Sequence, residues 1–400
     1  MRKMLKILPV ILLFLFLALV AGCAKHAQPP PPSNAPAPVQ PAKADPAKTS
    51  GATNASVFFL SNQLGWVAVN LERQQQPASV ILHTSDGGQN WVQLNSPGLS
   101  VVQQLAFPDA QHGWVLATTN TAGNNTTCAV MATADGGQTW TQQWTGEIQQ
   151  GGRPNQIQFL DTSNGFALIG NTFIATMDGG ADWVKRPIAQ GMSSFSFSNH
   201  LVGWAVGANS IWHTTDGGVT WHSQWTIPDK IKSEFPGDGS VVTFVSPNAG
   251  WALIQGESAM QQTSKMVLHT DDGGSNWTVT SAFLAPSDQA NLPAAPHYTT
   301  TCFVPVSATT ALLAASPPTD YPVLYRTVDN GSDWGTLSDG MTGVSGLSKG
   351  TWGDLSFVND SEGWAAVITQ TPVQAGSSNT VSNVAMLHTL NGGKTWSTQY

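Results

Sequence analysis

Thr84-Ser85-Asp86-Gly87-Gly88-Gln89-Asn90-Trp91 is one copy of an eight-residue pattern, T-x-[DN]-[GN]-G-x-[TND]-W, that occurs seven times in this chain. The other copies run from Thr133 to Trp140, Thr176 to Trp183, Thr214 to Trp221, Thr270 to Trp277, Thr327 to Trp334 and Thr389 to Trp396. The acidic position is Asp86, Asp135, Asp178, Asp216, Asp272 and Asp329, then Asn391. The closing aromatic is Trp91, Trp140, Trp183, Trp221, Trp277, Trp334 and Trp396. Successive acids lie 49, 43, 38, 56, 57 and 62 residues apart. A mean period of about 51 residues with strand-like content signals a radial or stacked array.

Each repeat opens with an apolar strand, such as Ser56-Val57-Phe58-Phe59-Leu60 or Gln156-Ile157-Gln158-Phe159. A second strand follows a Gly-aromatic pair: Gly65-Trp66, Gly113-Trp114, Gly165-Phe166, Gly203-Trp204, Gly250-Trp251 and Gly363-Trp364. The sixth repeat has Thr310-Ala311-Leu312-Leu313 instead. A third strand leads into the acid pattern, and a fourth begins at its Trp. Four short strands per repeat, with no helical period between them, describe a propeller blade. The expected fold is all-β: a seven-bladed β-propeller of four-stranded blades spanning residues 55–400.

The acid pattern is expected on the hairpin turn between third and fourth strands. Gly is needed where the chain takes positive φ. The Asp side chain can accept backbone N–H bonds across the turn, and the Thr, Asn or Asp before the Trp can complete that network. The indole is expected to bury its face between blades. Asn391 keeps an acceptor oxygen, so the seventh turn can still form.

These residues resemble the Asp-box (BNR) repeat of sialidases, sortilin-type receptors and photosystem II stability/assembly factors. The Gly-Trp strand combined with the T-x-D-G-G-x-T-W turn looks most like the assembly-factor group. The resemblance implies a structural turn rather than a catalytic one. It also implies a basic, Arg-rich partner face, whereas this domain holds only Arg73, Arg153, Arg186 and Arg326.

Residues 1–22 read as a signal peptide. Arg2, Lys3 and Lys6 precede the 14-residue apolar stretch from Ile7 to Val20, which is short for a membrane span. Val20-Ala21-Gly22-Cys23 resembles a bacterial lipobox, which implies cleavage before Cys23 and a diacylglyceryl group on its sulfur. Residues 23–54 are rich in Pro and Ala and read as an extended tether. The mature chain then sits on the outer side of a membrane, held by its N-terminal lipid alone. Removing the three leading basic groups leaves 13 basic against 24 acidic side chains. With no basic stripe, nucleic acid is excluded as a partner. Cys128 and Cys302 fall in the second and sixth repeats, and an exported protein could pair them. Repeats that far apart around a ring argue against a bridge.

Equivalent positions in seven blades lie on a circle and cannot converge on one substrate or metal. His83, His213, His269 and His388 share one such position, so no zinc site is expected from them. Asp271-Asp272-Gly273 does not meet the calcium-loop spacing. No cofactor is expected. Sialidase chemistry needs an arginine cluster and a Tyr nucleophile; the tyrosines are Tyr298, Tyr321, Tyr325 and Tyr400, with no F-R-I-P-like segment. A two-carboxylate glycosidase could draw on Glu234, Asp238, Asp288 or Glu362. No phosphate-binding loop, dinucleotide fingerprint, G-x-S-x-G or H-E-x-x-H occurs.

Function is expected where the repeats differ. The insertions fall at 228–240, 256–264, 284–297, 335–350 and 371–383, in repeats five to seven. Long loops on one side of a rigid ring make an asymmetric recognition surface. Phe235, His297, Tyr298, Tyr321 and Trp352 are the candidate partner contacts in or beside them. The expectation is a monomeric, non-catalytic, lipid-anchored scaffold or assembly factor that binds an envelope or extracellular protein. A carbohydrate-binding or glycoside-hydrolase-like surface protein is the alternative.

Overall fold

First strands such as Ala52–Phe59, with Ala55, Val57 and Phe59 buried, pair with near-continuous apolar stretches such as Gly65–Arg73. The second strand is apolar on both faces because each blade is covered by a neighbour on either side. The computed structural model describes residues 43–44, 50–73, 76–96, 98–122, 125–148, 154–207, 209–235, 239–259, 262–283, 295–316, 322–337, 350–372 and 380–399. Cys23 and Tyr321 lie outside them. The strands form one five-stranded and six four-stranded antiparallel sheets, each drawn from one repeat in chain order. The protein is thus a seven-bladed propeller. Its described residues hold one short 3-10 helix, Asp229–Glu234.

The innermost strands are Ala52–Phe59, Val101–Ala106, Pro154–Phe159, Met192–Phe197, Val241–Phe244, Thr299–Pro305 and Gly350–Phe357. Their free backbone edges are satisfied by side chains of the preceding blade. Gln104 accepts the Ile157 N–H at 2.8 Å, Gln156 and Gln158 accept those of Phe195 and Phe197, and Ser196 accepts that of Phe244 at 2.9 Å. The same device joins the last blade to the first. Asp354 accepts the Val57 N–H at 2.9 Å, and Ser356 accepts the Phe59 N–H at 3.0 Å. Among the described residues no strand crosses from one blade to another to lock the ring.

One apolar cluster fills each seam between successive blades. In five of the seven its centre is a stacked ring pair, whereas between blades five and six Trp251 meets Phe303 edge-on at 6.5 Å. Trp66 lies 3.8 Å from Phe107 of the next blade, Trp114 3.5 Å from Phe159, and Trp204 3.4 Å from Phe244. Trp364 closes the circle, stacking on Phe59 at 3.8 Å. The Trp of the acid pattern lies in these seams as expected: Trp91 is buried in the cluster between blades seven and one, and Trp140, Trp183 and Trp277 pack against theirs. Trp140 meets Phe107 of its own blade edge-on, at 6.2 Å and 81°. Inter-blade stacking therefore belongs to the Gly-Trp pair.

The expected boundary at residue 55 also shifts. The first strand starts at Ala52, and Lys43 and Ala44 pair with Val92 and Trp91 as a fifth strand. Cys128 and Cys302 carry no bridge; the first is buried in its blade and the second partly so.

Candidate functional site

A four-stranded meander places the turn after the first strand and the turn after the third at one end. The hairpin between second and third strands sits at the other end, together with the exit to the next blade. All seven acid turns therefore share one face, and every insertion leaves from the opposite face.

On the first face each turn is closed upon itself. In the second copy the Thr133 hydroxyl donates to Asp135 Oδ1 at 2.8 Å and accepts the Gly137 N–H at 2.8 Å. Asp135 Oδ1 accepts the Thr139 N–H at 2.9 Å, and Oδ2 accepts the Thr139 hydroxyl at 2.6 Å. Gly87 and Gly88 have φ of +74° and +95°, the left-handed region that Gly enters without strain. Asn330 takes the first of these positions in the sixth copy, with φ +63°. Each turn also docks on the first turn of its own blade, as when the Gly136 N–H donates to the Gln111 carbonyl at 2.8 Å.

Asn391 forms the same turn with an amide. Its Oδ1 accepts the Thr395 N–H at 2.9 Å, and its Nδ2 donates to the Thr395 hydroxyl at 2.7 Å. One expectation needs correcting. Asp182 and Asp333 precede their Trp, but a carboxylate has no proton to give, so only their backbone N–H groups reach the acid, at 3.0 Å. The Thr220 hydroxyl and backbone N–H, followed by the Thr214 hydroxyl, bring the Asp216 carboxyl down to about 2. These carboxylates are committed to holding their turns.

The histidines before the acids have a structural place too. His83 packs 5.2 Å from Trp66, His213 5.1 Å from Trp204, and His388 4.5 Å from Trp364. Burial lowers the basicity of His83 and His213. Among the described residues, no group of three or more His, Cys, Asp or Glu gathers that could hold a metal ion.

The opposite face is uneven. Blades one, two, five and seven raise long hairpins: Gly65–Arg73 with Gln76–Thr84, Gly113–Ala122 with Asn125–Thr133, Gly250–Ala259 with Gln262–Thr270, and Gly363–Pro372 with Thr380–Thr389. Blades three and four end early, at Gly165–Ile169 with Thr172–Thr176 and Gly203–Gly207 with Ser210–Thr214. Four or five extra residues per strand raise the tall hairpins by about 15 Å. The expected concentration in blades five to seven is therefore incomplete, because blades one and two rise as well. In blade two this length was legible in the sequence as the 49-residue spacing that ends at Asp135, beside the 38-residue spacing that ends at Asp216.

Two expected contacts are buried. Phe235 is 0% exposed, folded under its 3-10 turn into the seam between blades four and five. Trp352 is 2% exposed in the seam between blades six and seven. Aromatic rings beside insertions served to seal blade ends, because that is where they bury most apolar area. His297 and Tyr298 are half-buried, their rings 4.1 Å apart. Burial and the neighbouring Lys265 lower the basicity of His297. Of the candidate acids, Glu362 is hydrogen-bonded to His388 Nε2 at 3.2 Å. Glu234 ends the 3-10 turn, and Asp238 and Asp288 lie outside the described residues.

Two features had no warning in the sequence reading. Lys265 is fully buried at the seam between blades five and six, donating to the Tyr298 carbonyl at 2.6 Å and the Thr300 hydroxyl at 2.7 Å. Burial pushes its amine down to about 7. Exposed large apolar side chains concentrate on blades three and four: Met177, Val184, Ile188, Leu201 and Val219.

The family model of the photosynthesis system II assembly factor YCF48 matches residues 142–265 and 192–363. A photosystem II assembly lipoprotein Ycf48 of Synechococcus sp. (strain CC9902) is 28% identical over 139 residues, which cover 33% of this chain and 38% of that protein. The match thus spans well under two thirds of that relative's length. Among solved structures, a YCF48 bound to a D1 peptide is 15% identical with a TM-score of 0.52, covering 86% of this chain and 92% of its own. A GH74 enzyme of Niastella koreensis is 13% identical with a TM-score of 0.59, covering 89% and 67%. At these identities the structural likeness is one of fold. The two family-model matches together span more than half of the sequence, over blades with the self-closed acid turns and the Trp-Phe seams described above, and the chain belongs to the photosynthesis system II assembly factor YCF48 family.

Proposed function

We propose that this chain is a non-catalytic, lipid-anchored propeller on the outer side of a membrane that binds a protein as a scaffold or assembly factor. Membership of the assembly-factor family carries the reading. The division between the two faces supports it. The face of the acid turns is repetitive, its turns closed by their own side chains and bonded to neighbouring blades, whereas the hairpin face has tall blades around a low sector at blades three and four. A relative of the same fold is bound to a peptide of D1, which supports a protein segment as the ligand class here. The Arg-rich face implied for such relatives has few counterparts in this chain, so the partner's recognition chemistry is proposed to differ. The N-terminal charge pattern, short apolar stretch and Cys23 support the lipid anchor.

A carbohydrate reading draws support from the fold likeness to the GH74 enzyme. Of the acids such a reading would draw on, Glu362 is bonded to His388 Nε2 at 3.2 Å.

In-cell crosslinking of the full-length protein, followed by affinity purification and mass spectrometry, tests the function. One dominant envelope protein joined through the hairpin face is the expected result. Retention of glycans with no protein partner would overturn it. For the anchor, Cys23→Ser is expected to move the protein from the membrane to the soluble fraction; unchanged membrane association would remove the lipid reading.

A further inference from the structure

The outer edge of a blade is a row of backbone donors and acceptors, and an exposed row of this kind is a template for a further strand. Blade one already takes one. Lys43 pairs with Val92 and Ala44 with Trp91, antiparallel, outside the strand Trp91–Leu94. Blades three, six and seven blunt their edges by brevity, with Val184–Arg186, Gly335–Thr336 and Ser397–Gln399. Blade two does neither. Its outer strand, Thr141–Ile148, is eight residues long. It pairs inward with Asn125–Thr133, and among the described residues no strand lies on its other side.

This edge lacks the residues that guard against strand addition. It has no Pro and no Lys, and Glu147 is its one charged side chain. Thr141, Gln142 and Thr145 are exposed. Trp144 is half-buried, and its ring lies across Gly146, where an added Cβ would come within 2.3 Å of the indole. An aromatic ring covering an edge Gly supports the strand beyond the register shift at Gln143, where Val130 to Cys128 pair without interruption with Trp144 to Gly146. The same indole offers an apolar surface to a residue on an added strand. From residue 41 onward the chain carries 12 basic and 24 acidic side chains, a field that favours a basic visitor.

We propose that the outer edge of blade two, Thr141–Ile148, docks an extended, basic segment of the partner protein as a fifth strand. The proposal rests on the protein-binding reading above and adds the mode and chemistry of the ligand. Main-chain bonds supply the affinity, and alternate side chains supply the selectivity. A β-branched or aromatic residue is placed beside Trp144, with Lys or Arg at the positions between.

Hydrogen exchange on the full-length chain with two synthetic eight-residue probes tests it. One probe alternates Val with Lys, and the other alternates Val with Glu. With the Lys probe at saturation, amides of 141–148 are expected to exchange about tenfold more slowly or better, and with the Glu probe to be unchanged. Gln142→Lys combined with Thr145→Lys is expected to abolish the protection with an unchanged melting temperature. No slowing with millimolar Lys probe, equal slowing with both probes, or slowing confined to the hairpin face would each overturn the proposal. In-cell crosslinks from the hairpin face, with no edge protection, would discard the docking edge and leave the scaffold standing. Edge protection by the Lys probe, with no protein crosslinked in cells, would do the reverse.

Discussion

Gly65 is where it is because the Phe59 ring occupies the space of its side chain: an added Cβ would lie 2.5 Å from the ring. The same holds at Gly113, Gly165, Gly203, Gly250 and Gly363, each beneath the Phe at or just past the end of its own first strand. Blade six explains its own exception. There Pro305 pairs with Ala311 in the register that Phe59 and Gly65 share in blade one, so with no ring to accommodate, Ala fits. Gly65→Ala is expected to destabilise by about 1–3 kcal/mol through overpacking. Urea unfolding checks this, and a change within error would mean that the ring can swing aside. Lys265 has the opposite problem, a buried amine with a carbonyl and a hydroxyl for company. Its basicity is lowered from 10.5 to about 7, so between those pH values the unfolded chain binds the extra proton. Stability is therefore expected to rise with pH from about 7 towards 10, by on the order of a few kcal/mol. Lys265→Met should lose that slope and gain most over wild type at and below pH 7. Parallel stability–pH curves for the two proteins would show that the amine is solvated.

The acid turn is the unit that repeats, and Asn391 shows what it requires. An amide reproduces the acceptor for Thr395 and adds a donor, so geometry matters more than charge. Asp135→Asn is accordingly expected to cost under about 0.5 kcal/mol, and Asp135→Ala about 1–2 kcal/mol after allowing for its exposure. Thermal melts of the two variants separate these cases; equal losses would mean that the negative charge is the essential feature. Because hydrogen bonds hold Asp216 down at about 2, the stability its ionised form contributes is full above about pH 4 and drains away as pH falls towards 2. These turns were legible because each meets its own hydrogen-bonding needs within eight residues. The blade count and strand order followed from them. The seams were only half legible: the Gly-Trp pair was visible, but its stacking on the next blade's Phe joins residues such as Trp66 and Phe107 that no local pattern links. Phe235 and Trp352 were misread for the same reason, since an aromatic beside an insertion looks alike whether it faces solvent or the seam. Lys265 left no trace because a single Lys in a strand pattern ordinarily points to water.

A ring of seven blades has six seams bridged by the chain and one that is not. Where blade seven meets blade one, cohesion rests on non-covalent contacts alone: Trp364 stacked on Phe59, the Trp364 indole N–H donating to the Gly87 carbonyl at 2.9 Å, the Gly51 N–H donating to the Ser382 carbonyl at 2.8 Å, and Asp354 and Ser356 bonded to the first strand. Cys302 of blade six also donates to Asp354, at 3.5 Å, so one carboxyl touches three blades. Burial raises the pKa of that carboxyl, against the pull of the Val57 N–H. Trp204 makes the same stack on Phe244 at a seam the chain does bridge. Removing either indole leaves a cavity costing about 3–5 kcal/mol, so equilibrium stability should fall alike in Trp364→Ala and Trp204→Ala. Local opening should not. With the closing stack gone, blades one and seven can part while the other six seams hold, whereas loss of Trp204 leaves neighbours still tied by the 228–240 connection. Native-state hydrogen exchange is expected to show faster sub-global exchange in 52–84 and 363–389 for Trp364→Ala, and no such paired acceleration for Trp204→Ala. Equal patterns in the two variants would mean that the ring opens at any seam with equal ease, and that the position of the chain ends has no mechanical consequence.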